Sequence, residues 1–126
     1  MSAALEFNWE ERLAAALAAW QWLGVIGDVR VDRRGACLVS VYGQRLRLDP
    51  SEAEAFLYGL AVARHASRQW SKDAAKLQGR KERLEASARR TNSRWRRQRL
   101  AEQALEFAAM LQGFVAMAPW RTAGVR

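Results

Sequence analysis

Thirteen lysines and arginines fall between residues 64 and 99 of this 126-residue chain, against three acids, Asp73, Glu82 and Glu85. That stretch carries +10 in a chain whose formal total is +8, so the remainder sums to −2 and the basicity is local. Charge of one sign concentrated in this way points to an anionic partner, because ordinary soluble surfaces intersperse both signs. Arg64, Arg68, Lys72, Lys76, Arg80, Arg83, Arg90, Arg94 and Arg97 follow one another at steps of four, three or seven. Those steps keep side chains on one side of a helix. Residues four apart rise about 6 Å along a helix axis, close to the spacing of successive phosphates in a nucleic-acid strand. The chemistry on offer is neutralisation of a polyanion, and six phosphate contacts imply a log–log salt slope of about −5. No Asn, Gln and Arg arrangement follows a helix-turn-helix signal, so reading of base edges is not indicated.

The densest cluster is Arg94-Trp95-Arg96-Arg97-Gln98-Arg99. It fits a phosphate-clamping turn with Trp95 stacked on a base, an arrangement suited to holding single strands. The competing reading is a helix whose Trp95 plugs the end of a helical hairpin, and the helical phase of Trp95 favours this plug. Arg94, Arg96, Arg97 and Arg99 are exposed under both readings.

Other reactive residue types lack companions. His65 is the only histidine, sits beside Arg64 and has no carboxylate within a recognisable spacing, so a surface or partner-contacting role is expected. Cys37 alternates with Val39 and Val41 and reads as a small buried hydrophobe; with no second cysteine it has no disulfide, zinc or redox partner. The pairs Glu10/Glu11, Glu52/Glu54 and Glu102/Glu106 are explained by helix dipoles and solubility. Glycines occur singly, without a phosphate-cradling loop. No catalytic residue, metal site or cofactor is expected.

These side chains need a scaffold. Half the residues are hydrophobic and six are Trp, enough to bury the core of one domain. No apolar run is long enough to span a membrane, acids stand near the N-terminus where a secretory signal carries positive charge, and a lone thiol suits a reducing compartment; a cytoplasmic location is expected. Asn8 and Glu11 have capping-box spacing, which predicts a first helix over 8–23 closed by Gly24-Val25. Trp20 and Trp22, two apart, cannot face the same core, so Trp9, Trp22 or Trp120 is a candidate for exposure. Alternation in 28–48, with turns at Arg34-Gly35 and Gly43-Gln44, predicts a three-stranded antiparallel meander covered by the first helix.

Asp49-Pro50-Ser51-Glu52 starts a second helix, predicted to run over 50–90. Its apolar row is Phe56, Leu60, Ala63, Ser67, Trp70, Ala74, Leu77, Lys81, Leu84 and Ala88, a seam for another helix, with Gly79 the place for a kink. The stripe of Leu100, Ala104, Phe107, Ala108, Leu111, Phe114 and Val115 is out of phase with that row. The mismatch predicts a turn at Thr91-Asn92-Ser93 and a third helix over 94–118 returning antiparallel, with Gly113 tolerated inside it and Pro119 ending it. The fold class is thus α+β: an N-terminal helix, a small three-stranded antiparallel meander and a long C-terminal antiparallel helical hairpin, one domain over 1–120 with a flexible tail at 121–126.

The functional expectation is a non-catalytic nucleic-acid-binding protein that contacts DNA or RNA phosphates with little sequence specificity. The alternative is a small accessory or inhibitor protein of the mobile-element type, docking on a nucleoprotein complex or an acidic protein surface. Membrane binding is not expected, since the apolar face is alanine-rich and committed to the hairpin. A homodimer through the seam of the second helix is expected only if the third helix leaves that seam uncovered.

Overall fold

In the computed structural model, which describes residues 9–118 and Trp120, the alanine-rich run forms α1 (Trp9–Trp22). It closes as a Schellman motif. Gly24 takes φ +80°, its N–H donates to the Gln21 carbonyl at 3.0 Å, and the Val25 N–H donates to the Trp20 carbonyl at 3.1 Å. The Asn8 cap, the side chain of Trp9, the Pro119 stop and the 121–126 tail lie outside the described residues.

Period-two alternation then yields β1 (Val29–Val31), β2 (Cys37–Val41) and β3 (Gln44–Leu48), an antiparallel meander in the order β1-β2-β3. The register aligns Val31, Cys37 and Leu48, and Val29, Val39 and Leu46, on one face, through which Cys37, Val39, Val29 and Leu48 meet the core while Val31 at the edge is exposed. Arg30, Leu38 and Arg47 align on the opposite face. At the first turn Asp32 Oδ1 accepts from the N–H groups of Arg34 and Ala36 at 2.8 and 2.9 Å. The second turn is Tyr42-Gly43, with φ +51° and +78°, one residue earlier than the expected Gly43-Gln44. Two successive positive φ values give the primed turn whose twist matches a hairpin.

The capping signal at Asp49 is realised in full as α2 (Pro50–Ala66) begins. Asp49 Oδ1 accepts from the Glu52 N–H at 2.9 Å, and Glu52 Oε1 accepts from the Asp49 N–H at 3.0 Å. The bond from the Glu52 backbone, reinforced by Ser51, holds the Asp49 carboxyl below its ordinary pKa.

The predicted helix over 50–90 is two helices, and the break is at 67–69 instead of Gly79. α2 ends at Ala66 and α3 (Trp70–Arg90) passes through Gly79 without interruption. Arg68 takes the left-handed conformation at φ +62°, and the Gln69 N–H folds back to the Arg64 carbonyl at 2.7 Å. Across this turn Arg64 grips Asp73 with two bonds of 2.8 Å. The break uncouples the phases of the two halves. α2 buries Ala53, Leu57 and Ala61 and exposes Ala63 and Ser67, whereas α3 keeps its part of the seam, with Trp70, Leu77, Leu84 and Ala88 buried.

The 91–93 turn forms as expected and leads into α4 (Arg94–Ala116), where Ser93 Oγ accepts from the Arg96 N–H at 3.2 Å. α4 packs most extensively on α3 and then on α1. It covers the α3 part of the seam within the chain, where Leu77, Leu84 and Ala88 are buried. Gly113 is required, not merely tolerated. A Cβ there would come within 2.8 Å of the Ala16 nitrogen and 2.9 Å of the Arg12 carbonyl oxygen, both backbone atoms of α1.

The core centres on an aromatic series that ties the elements together. Trp20 of α1 and Trp70 of α3 both pack on Phe114 of α4, at 4.9 and 5.3 Å between centroids. Trp120 meets Trp70 edge-on at 5.1 Å and stacks on His65 at 4.1 Å. Val39, Cys37, Leu17 and Leu57 extend this cluster to the sheet.

Candidate nucleic-acid interface

The core cluster stops short of the far end of the hairpin. Leu84, Ala88 and Ala104 are buried but stand apart from the main core, and every residue from 92 to 99 is exposed. α3 and α4 therefore form a two-helix arm whose distal part lies beyond the core, and along α3 and the start of α4 bases outnumber acids.

On α3, Lys72, Lys76, Arg80, Arg83 and Arg90 are exposed. At 100° per residue they share an arc of about 80°. Between Lys72 and Arg90 the row extends about 27 Å, shorter than the roughly 40 Å a continuous helix from residue 64 would give. The acids lie on another flank. Gln78 donates to Glu82 at 2.7 Å, and Lys81 pairs with Glu85 at 3.6 Å. Among the described residues Lys72, Lys76, Arg83 and Arg90 enter no ion pair. Arg80 is steadied midway along α3, its guanidinium 5.9 Å from the Phe107 ring centroid; Trp22 meets the same ring edge-on at 5.0 Å.

Two sequence candidates leave this row. Arg64 is withdrawn by its bidentate bond to Asp73, whose side chain is 1% exposed, and that bond raises the guanidinium pKa further above its already high value. Arg68 is exposed but belongs to the 67–69 turn, outside the helical arc.

The tip completes the arm. Arg94, Arg96, Arg97 and Arg99 are exposed and distributed around α4, not along one face. Arg97 Nη2 donates to the Thr91 carbonyl at 2.9 Å, fixing the turn. The first turn of α4 contains no acid. A helix N-terminus carries partial positive charge, so arginines there repel the dipole and stabilisation comes from an added anion. Trp95 does not plug the hairpin: it is 68% exposed, with the Arg99 guanidinium 5.4 Å from its ring centroid. α3 has already ended at Arg90, so no seam residue remains to meet it.

His65 is stacked on Trp120. Cys37 is buried, and burial followed by the charge of Asp32 raises its thiol pKa, which keeps it protonated. Among the described residues no cluster of His, Cys, Asp and Glu could hold a metal ion, and no helix is long and apolar enough to cross a membrane.

Two features escaped sequence reasoning. Arg30, Arg45 and Arg47 stand on the outer face of the sheet, with Asp32 holding Arg47 at 3.2 Å; their charge was hidden in the −2 of the rest of the chain, and the register displays it. An open groove lined by Ala88, Ala101, Ala104 and Ala108 runs beside Leu105, which is 71% exposed. Its signal was present in the alanine spacing of α4.

Fold and surface define an α+β protein with a protruding, cationic helical hairpin. No family model matches the chain, and no curated protein and no solved structure is significantly similar to it.

Proposed function

We propose that this is a non-catalytic protein that binds nucleic acid through the arm, contacting phosphates with little sequence specificity. The observation that carries the reading is the row of α3 cations without ion pairs, continued by an unpacked arginine tip at the positive pole of α4. Phosphates would satisfy both at once: they pair with the row and relieve the repulsion at the helix start. The Cys37 thiol is buried and the His65 ring is stacked on Trp120, and among the described residues neither belongs to a cluster of His, Cys, Asp and Glu. A cytoplasmic location belongs to the reading, since a lone thiol suits a reducing compartment.

A second reading is supported by the groove beside Leu105: an accessory or inhibitor protein whose arm docks on a nucleoprotein complex or acidic protein surface, with the groove adding an apolar protein contact. Fluorescence-anisotropy titration with single- and double-stranded DNA and RNA at two salt concentrations separates the two. The first reading expects micromolar or tighter binding at 50 mM salt, weakening steeply as salt rises, and loss of binding when Lys72, Lys76, Arg83 and Arg90 become Glu. Absence of binding at 50 mM salt contradicts it and favours the second.

A further inference from the structure

We propose that the hairpin tip is a site for an unpaired nucleotide, whose base stacks on Trp95 while flanking phosphates meet the surrounding arginines. The proposal rests on the nucleic-acid reading above and narrows its substrate class to strands with at least one unstacked base.

Trp95 is a large aromatic side chain held in water at 68% exposure, where the fold draws no packing from it. Arg99, one helical turn on, covers one face of the indole at 5.4 Å and limits the ring's freedom. The other face is left for a partner. Arg94 and Arg96 on either side of it are exposed, and the uncompensated N-terminus of α4 adds to the positive field. A cationic surface interleaved with an exposed aromatic ring is the chemistry that holds single strands, and it tolerates any sequence because every base has a π-face.

A base inside a duplex has both faces covered by its neighbours, so an indole on a helix side meets it only after unstacking. Trp95 therefore favours single strands, frayed ends and flipped bases. The direction of the strand is also constrained. The strip of α4 beyond Trp95 carries Gln98, Glu102 and Glu106, with Gln98 donating to Glu102 at 3.4 Å. Those carboxylates repel a backbone from that strip.

Anisotropy titrations of the full chain with a labelled 12-nucleotide single strand and a labelled blunt 24-base-pair duplex test this, using wild type, Trp95→Ala and Trp95→Phe. Trp95→Ala is expected to weaken single-strand binding at least about fivefold, leave duplex binding unchanged, and be largely rescued by Trp95→Phe. Equal single-strand affinity for wild type and Trp95→Ala overturns the stacking site while the phosphate-binding reading stands. Failure of the wild type to bind either probe overturns both.

Discussion

The Arg64–Asp73 pair is unequal in its contact with water: the Asp73 side chain is 1% exposed and that of Arg64 30%. Removing the arginine strands a carboxylate inside the protein, which is the costly way to break such a pair. Arg64→Ala should destabilise by about 3 kcal/mol in chemical denaturation, toward the low end for buried pairs because Arg64 keeps some solvent. Lys72→Ala, exposed and unpaired, should cost less than about 0.5 kcal/mol. The pair was not legible in the sequence. Nine residues place two side chains on opposite sides of a continuous helix, so only the left-handed turn at Arg68 brings them together, and no glycine or proline marks that turn. Arg94 is the opposite case, legible by charge and unfavourable to the fold. Arg94→Glu should raise stability by about 0.5 kcal/mol by complementing the start of α4, and weaken nucleic-acid binding in the same protein. A fall in both would mean that the arginine serves the fold.

Two glycines show how elements of similar sequence carry different constraints. Gly79 lies within α3, where an added Cβ meets only the flexible end of Arg83 at 3.6 Å. Gly79→Ala should therefore stabilise by about 0.5 to 1 kcal/mol through helix propensity. Gly113 lies where α4 crosses α1, and Gly113→Ala should destabilise by about 2 kcal/mol, because backbone atoms of α1 must retreat. Thermal or denaturant unfolding of both variants checks the pair of signs. Caps, strands and the 91–93 turn were readable because each is written in local residues, such as Asp49 with Glu52 or the alternation of Cys37, Val39 and Val41. On α2 the predicted row holds for Phe56 and Leu60, which pack against the core, and fails at Ala63 and Ser67, because its phase is inherited from α3 across a break that falls at Ser67, one of the row's two polar interruptions with Lys81. Trp95 was misread for a related reason: its phase suited the seam, but the partner helix had run out.

At the scale of the whole molecule, charge is partitioned. The arm carries a row of cations, Lys72, Lys76, Arg83 and Arg90, without ion pairs among the described residues, while the outer face of the sheet mixes Arg30, Arg45 and Arg47 with Asp28 and Asp32. Net charge alone would steer any polyanion weakly to any surface, whereas a built interface depends on where the cations stand. The location of the basic stretch was legible from composition by position, but its division into a 72–90 row, a withdrawn Arg64 and an unpacked tip required the break at 67–69. The most direct measurement compares two charge-matched variants, Lys72/Lys76/Arg83/Arg90→Gln on the arm and Arg30/Arg33/Arg34/Arg45→Gln on the sheet and its turn, in single-strand binding across a salt series. The arm variant should lose most of its affinity, with the log–log salt slope shallower by about 3 to 4, while the sheet variant keeps the wild-type slope within about 1. Equal losses in the two variants would contradict the assignment of binding to the arm.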